Sequence, residues 1–535
     1  MKLWSKDWRE DIFSQVGGRE WDLVIIGGGI TGAGVLREAA NAGLDALLVE
    51  ANDFAFGTSS RSSKLIHGGI RYLRNRQYDV TFESVRERQW MLREAEHLIT
   101  PLPFLSPVYE INERSQHGMG LRILIYDLMA GRWQHRTYSR EALLQVCAGF
   151  NTEGLLRGYL YGDALMDDAR LVVRVLRESA RAGGIALNYA PVQDLLRTAD
   201  GQVRGVLLQD RAEPGGRTYE VKARAVINAA GPWSDELRAR VGAPARLRKL
   251  RGSHVLLPLE KCVSPDHAVM LLHPRDQRTM FAFAWEGAFM AGTTDLDHPE
   301  AVERTQSEPR ASHAEIDYII EALQFTFPDA NIRHEDVISS FAGLRPVVNT
   351  GKARPSDESR AHVVWDENGL VTIAGGKYTI FRRMAADVLN CAAARLPGSP
   401  VFPTRRRIFD RLPEEIAYSE MPPAAAAYLA GRYAADLPDL LACAGAGELE
   451  SIDGLPNVWA QLRWAARAEA VIHLDDLLLR RVRIGMTLPG GGMGWMARIR
   501  AIVQPELGWD DRRWQEEEDR YVRTWRAAYS PAPEW

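Results

Sequence analysis

The feature that most constrains the fold is a run of glycines between a buried strand and a helix. Trp21–Ile26 (WDLVII) reads as a strand, the glycines after it as a tight turn, and the segment to about Ala42 as a helix, followed by a second strand over Asp45–Val49. Gly27, Gly29 and Gly32 are spaced as G-x-G-x-x-G. In such a turn the first glycine permits the bend, the second lets a pyrophosphate approach the backbone, and the third lets helix and strand pack closely. The helix N-terminus, at Ile30 and Thr31, offers N–H groups and the favourable end of a dipole to an anion. Glu50 closes the second strand, 18 residues after Gly32. A carboxylate there accepts from ribose hydroxyls and repels a 2′-phosphate. A glycine-rich turn alone is a weak signal, but here the strand, the helix and the acid are all in place, which predicts a dinucleotide site.

The chain returns to this opening from far away. Ala225–Trp233 (AVINAAGPW) reads as a strand ending in a small-residue turn. Val371–Thr379 (VTIAGGKYT) reads as another strand that enters Gly375-Gly376 and then a helix. Singly each is an ordinary strand-to-helix turn. An NAD site is usually complete within one contiguous domain, so these distant returns, taken with the first turn, favour a flavin dinucleotide.

Between them the pattern changes. A helix rich in Arg and Glu is predicted over Asp79–His97, and short strand-like runs at Ile185–Tyr189, Val203–Leu208, Tyr219–Val226 and Val255–Leu257. Met280–Phe283 and Phe289–Thr293 alternate like half-buried strands. Pro397–Pro403 is punctuated like a linker, and helical patterns follow at Pro423–Ala434, Val458–Ile472, Leu474–Arg483 and Gln515–Ala528. The predicted class is α/β with α+β mixing. A Rossmann-like dinucleotide domain is interleaved with a mixed or antiparallel-sheet substrate domain, and an all-helical cap lies at the C-terminus. The boundaries are a tail over 1–20, the interleaved pair over 21–403 (substrate part mainly 75–185 and 245–345), and the helical domain over 404–535.

Composition narrows the function. A net charge of −4 and a pI near 6.4 argue against a nucleic-acid binder. Cys147, Cys262, Cys391 and Cys443 are scattered, without metal or disulfide spacing, so no metal is expected and a reducing compartment fits. The first residues lack the apolar core of a signal peptide, and no run of about 18 apolar residues predicts a membrane span. Leu121, Leu124, Ile125 and Leu128 recur at helical spacing, with Ile123 and Met129 broadening the face and Arg122, Arg132 and Arg136 flanking it. Periodicity alone fits either an interfacial amphipathic helix or a core-facing one.

Six ordered motifs carry a resemblance. Thr58–Leu73 (TSSRSSKLIHGGIRYL) is the most specific, supported by Asn228–Trp233 (NAAGPW), Arg251–His254 (RGSH), Gly292–Asp295 (GTTD), Gly343–Pro346 (GLRP) and Gly375–Lys377 (GGK). From about Trp21 to about Leu488 the chain resembles the aerobic, FAD-dependent glycerol-3-phosphate dehydrogenases. The resemblance implies FAD as cofactor and oxidation of sn-glycerol 3-phosphate to dihydroxyacetone phosphate. The C2 hydride would go to flavin N5, and the electrons to a quinone reached by peripheral contact with the inner face of the cell membrane from the cytoplasm. A homodimer stays open. It implies cofactor contacts at Gly27, Gly29, Ile30, Thr31, Gly32, Glu50, Thr58, Ser59, Ser60, Lys64, Leu65, His67, Gly68, Val192, Ala230, Gly231, Gly375, Gly376, Lys377 and Thr379. Three positions depart from the family pattern: Arg251 stands where Lys is usual, Thr31 where Asn is common, and Ile380 where a second Thr is usual, removing one hydroxyl.

A phosphate dianion calls for cationic forks. The candidates are Arg71 with its neighbour Tyr72, Arg345, set in an otherwise apolar stretch that predicts a buried partner, and Arg360, which family spacing alone lifts above a solvated arginine. Lys377, at a Gly-Gly helix entry, and Thr379 complete the substrate set. His254 is the expected base, since an imidazole titrates near neutrality; His67 is its rival and is assigned to the flavin. Asp295 reads as a turn-stabilising side chain. His254, Arg345 and Lys377 are thus the expected catalytic residues. Competing readings are an oxidase that passes electrons to oxygen, a flavin oxidase of amino acids, and a flavin-binding protein that has lost activity.

Overall fold

A computed structural model describes residues 4, 6–70, 73, 77–212, 215–298, 308–352, 358, 361–404, 406–412 and 421–531. Two sheets organise them. In the first, Glu20–Ile26 is central and runs parallel to Ala46–Val49 on one side and to Thr218–Asn228 on the other. Ile185–Leu187 extends the sheet beyond Ala46–Val49, and Leu370–Gly375 extends it beyond Thr218–Asn228, both parallel. The central strands are apolar at nearly every position because helices cover them: Ile30–Asn41 packs on both Asp168–Arg181 and Phe381–Ala392. Both distant segments join the opening strand, since Asn228 pairs in register with both Ile26 and Thr372.

The second sheet is largely antiparallel. Leu247–Pro258 lies between Ala288–Gly292 and Ser339–Val348, and Thr279–Trp285 continues from Ala288–Gly292 to Ala268–Leu272. Ile99–Tyr109 and Leu155–Met166 complete its body through a long antiparallel ladder. Ile99–Tyr109 escapes sequence reading because it carries Pro101, Pro103 and Pro107. All are at alternate positions, so the missing N–H donors fall along one edge of the strand.

The N-terminal tail is an ordered helix, Lys6–Val16, whose Trp8, Phe13 and Val16 are buried with Trp4 in the core of the first sheet. The C-terminal region is helical but shares its core with the second sheet: Trp459, Leu474 and Leu477 belong to one apolar cluster with Phe104, Tyr161 and Met270. Helix Asp168–Arg181 joins the two regions. Arg170 meets Glu469 through two hydrogen bonds of 2.8 and 2.6 Å, and Arg177 meets Asp436 at 2.7 Å, all buried. Asp53, behind the first βαβ unit, is likewise held by Arg480 at 2.6 Å and Arg481 at 2.7 Å.

Helix Met119–Ala130 resolves the periodicity question raised by its sequence. Met119, Ile123 and Tyr126 face the core, while Leu121 and Leu128 are 62% and 65% exposed, as is Trp133 just beyond at 67%. Leu121 and Leu128 therefore point outward, whereas Leu124 is half-buried and Ile125 and Met129 pack against the core. Among the described residues no helix is long and apolar enough to cross a membrane.

Candidate active site

The glycine turn is built as its spacing requires. Gly27 has φ +117°, and a Cβ on Gly32 would stand 1.9 Å from the Gly27 carbonyl oxygen. Gly32 thus lies beneath the turn and serves helix packing rather than contact with a ligand. Helix Ile30–Asn41 begins at Gly29 without a side-chain cap. Ser59 Oγ accepts from Ile30 N–H at 3.0 Å, and Gly29, Ile30 and Thr31 line the cavity at this helix start. Glu50 accepts from the N–H of Gly28 at 2.7 Å and of Asn52 at 2.9 Å. The carboxylate thus fixes the turn and lines the cavity.

That cavity, of about 680 Å³, joins the segments the sequence singled out. Besides the turn it is lined by Glu50, Thr58, Ser59, Leu65, His67, Val192, Ala230, Gly231, Gly375, Gly376, Lys377, Thr379, His254 and Arg345. Gly375 and Gly376 have φ +74° and +78°, and a Cβ on Gly376 would meet Met384 Sδ at 2.6 Å, which is why the chain can turn sharply there. Lys377 Nζ donates to Ser84 Oγ at 2.9 Å, and Thr379 Oγ1 donates to the His67 carbonyl at 3.3 Å. A helix start at the cavity, an acid beside it and a wall of glycine turns fit a dinucleotide. Gly32→Ala should strip flavin several-fold from the purified protein, read from the ratio of visible to ultraviolet absorbance, because the added methyl has no room beneath the turn.

Four expected cofactor contacts stand behind the wall instead. Lys64 is fully buried and bonds Asp168 at 2.8 and 2.9 Å and the Ser60 carbonyl at 2.6 Å. Burial lowers its ammonium pKa to about 7, against the pull of Asp168. Ser60 is turned away from the cavity and also accepts, through its carbonyl, from Arg483 at 3.1 Å. Gly68 gives its N–H to Tyr126 Oη at 2.8 Å and Asp163 Oδ1 at 3.1 Å, and a Cβ there would strike Val85. With Gly32, these residues support the cavity. Arg71, Tyr72 and Arg360 lie outside the described residues.

His254 sits on Leu247–Pro258, one face of its ring stacked on Phe341 at 4.7 Å and 11°. Its Nε2 meets Ser63 Oγ at 2.9 Å, and Ser63 also lines the cavity. Burial, with Lys64 and Arg345 adding positive potential, holds the imidazole pKa well below its ordinary value. The ring is therefore neutral at physiological pH. Arg345 has the buried partner its setting predicts: Nη1 bonds Asp295 Oδ1 at 3.1 Å, and Nη2 bonds Thr293 Oγ1 and the Thr294 carbonyl, both at 3.0 Å. Asp295 is thus an ion-pair partner rather than a turn-stabilising side chain. Gly252 leaves room for this guanidinium, since a Cβ there would lie 2.0 Å from Nη2.

Sequence reading passed over Ser63, Gly252 and Thr293, although each lies within a motif it quoted. Their signal is contact with His254 or Arg345, which only the folded register supplies. Arg251 turns from the cavity to Glu315 at 2.8 Å. Ile380 packs in the apolar core with Ile30 and Phe381, so its missing hydroxyl leaves no polar gap.

Residues 22–382 match the family model described as FAD dependent oxidoreductase, and residues 373–514 the one described as the C-terminal domain of alpha-glycerophosphate oxidase. The glycerol-3-phosphate dehydrogenase of Mycobacterium leprae is 34% identical over 541 residues, covering 97% of this chain and 90% of that protein. The aerobic glycerol-3-phosphate dehydrogenase of Staphylococcus haemolyticus is 37% identical over 397 residues, or 72% of this chain and 70% of its own. The crystal structure of the glycerol-3-phosphate dehydrogenase from Bacillus halodurans complexed with FAD is similar with a TM-score of 0.74 at 26% identity, covering 100% of this chain and 99% of that one.

Proposed function

Because the chain belongs to the family of FAD-dependent glycerol-3-phosphate dehydrogenases, we propose that it oxidises sn-glycerol 3-phosphate to dihydroxyacetone phosphate and passes the electrons to a membrane quinone. The observation that carries the reading is the convergence of a neutral histidine, His254, and a carboxylate-anchored arginine, Arg345, on the cavity that the glycine turns also line. FAD, when bound, supplies the acceptor for the C2 hydride, flavin N5. Arg345 binds the phosphate through its planar fork, and Lys377 adds a second cation on the same wall. Arg71, Tyr72 and Arg360 are proposed as further contacts on the substrate. His254 Nε2 takes the C2 hydroxyl proton as the hydride leaves, which converts alcohol to ketone with no change in the phosphate. Ser63, 2.9 Å from that nitrogen, orients the ring. Thr379 holds the His67 carbonyl at the base of the wall.

Anaerobic titration of the purified protein is the decisive experiment. Glycerol 3-phosphate should bleach a flavin band near roughly 450 nm, while glycerol and L-amino acids leave it unchanged. Bleaching by another substrate alone would end the phosphate reading. A protein that binds no flavin would end the reading altogether.

Two leucines held outward, Leu121 and Leu128, support a membrane-bound acceptor. Leu121, Leu128 and Trp133 are exposed beside Arg132 and Arg136, the composition of an interfacial helix. The protein should therefore co-sediment with anionic liposomes at low salt, on the cytoplasmic face of the membrane in the cell. Leu121→Asp with Leu128→Asp should release it; binding unchanged in that pair would move the contact elsewhere.

The helical match to an oxidase C-terminal domain favours a second reading, in which oxygen takes the electrons. Stoichiometric hydrogen peroxide without an added acceptor would select it.

A further inference from the structure

We infer that Arg278 is a second guanidinium of the phosphate site and that Asp295 is the positioning residue holding Arg278 and Arg345 toward one anion; the inference rests on the proposed substrate. Three separate elements meet here. Arg345 comes from strand Ser339–Val348, Asp295 follows strand Ala288–Gly292, and Arg278 stands at the tip of the hairpin between Ala268–Leu272 and Thr279–Trp285. Arg278 lines the same cavity as Arg345, His254 and Thr293.

The hairpin tip is fixed. Asp276 accepts from Tyr318 Oη at 2.8 and 3.0 Å and from the Arg278 N–H at 3.1 Å. The Arg278 carbonyl accepts from His273 N–H at 2.9 Å. The position of Arg278 is therefore set by a braced turn rather than by a free loop.

The carboxylate between the arginines is almost wholly buried, 4% exposed at the side chain. Its Oδ1 is 3.1 Å from Arg345, while its Oδ2, with no hydrogen-bond partner among the described residues, is 3.9 Å from Arg278 Nη2. One carboxylate thus faces two guanidiniums that come from separate elements and line the same cavity. A single carboxylate ligand would need one fork. Two forks on separate elements suit an anion with several equivalent oxygens and two charges, which describes a phosphate monoester. Asp295 lets the two cations stay close when no phosphate is bound, because without it their repulsion would drive Arg278 outward.

The test uses the flavin-loaded enzyme. Arg278→Ala should raise KM for glycerol 3-phosphate and the inhibition constant of inorganic phosphate together, by about 10- to 100-fold for one charge-assisted contact, with the effect on KM exceeding that on kcat. Arg278→Lys should recover part of both, and Asp295→Asn should weaken phosphate inhibition with flavin retained. In the wild type, phenylglyoxal modification of Arg278, followed by peptide mass spectrometry, should be slowed by inorganic phosphate; this reading needs no variant to fold. Modification at an unchanged rate, or an Arg278→Ala enzyme with unchanged KM and phosphate inhibition, overturns the inference. If the wild-type enzyme is itself reduced by glycerol 3-phosphate, that result sinks the paired arginines alone. A wild-type flavin that glycerol 3-phosphate leaves oxidised sinks the proposed function as well.

Discussion

Replacing His254 with alanine should lower kcat by about 10²- to 10⁴-fold, the range for loss of a positioned general base, while KM moves little. The ring offers one edge to chemistry: its face rests on Phe341, and its Nε2 meets Ser63 at the cavity wall. Its substitution removes a proton acceptor and leaves the phosphate contacts on other strands untouched. The protonation state has a measurable consequence. Burial and the nearby Lys64 and Arg345 charges depress the imidazole pKa, so the neutral form is favoured in the folded protein. Between the ordinary imidazole value of about 6.5 and the lower folded value, the unfolded chain binds the extra proton. Stability contributed by this group is therefore present above about 6.5 and is lost as pH falls toward the folded pKa. The kcat profile should show no acid limb at about 6.5 and should stay flat below it. A limb at that pH, vanishing in His254→Gln, would mean that the ring is solvated during turnover. A high KM with normal kcat in His254→Ala would make the residue a binding group.

The contrast between what sequence reading found and missed has a physical pattern. The Gly27–Gly32 turn was legible because steric demands act within six residues: a Cβ at Gly32 collides with the carbonyl of Gly27 whatever the rest of the chain does. Strand Glu20–Ile26 was legible because burial on both faces forces a continuous apolar run. Helix Asp168–Arg181 was not, because its arginine face looks solvated, and its real partners, Glu469 and Asp436, lie more than 250 residues away. Lys64 illustrates the same limit at the site. Its motif placed it beside the cofactor, but Asp168, at the start of that unread helix, draws the ammonium behind the wall. Residue types that meet local geometry declare themselves; those whose role is set by a partner on a distant element do not. Arg345 is intermediate, since its apolar setting announced a partner without naming Asp295.

Arg345→Ala should have the opposite kinetic signature: KM for glycerol 3-phosphate rises steeply while kcat at saturation falls less. Truncating one member of a buried, hydrogen-bonded charge pair costs about 2–5 kcal/mol, which corresponds to roughly 30- to 4000-fold in an equilibrium constant. Two effects act in the same direction. The phosphate loses a planar fork aimed from the rigid strand Ser339–Val348. In addition, Asp295, almost wholly buried, loses its 3.1 Å partner and keeps only the more distant Arg278, 3.9 Å away, to offset its charge against an incoming dianion. The second effect is separable. In Arg345→Ala with Asp295→Asn the repulsion is gone, so the double variant should bind substrate better than Arg345→Ala alone, and the shortfall from additivity measures the Asp295 contribution. Arg345→Lys keeps the charge but not the fork, so it should recover only part of the affinity. If the single alanine variant left KM within twofold of wild type, the anion would have to lie elsewhere in the cavity, and the division of labour between Arg345 as binder and His254 as base would be reversed or void.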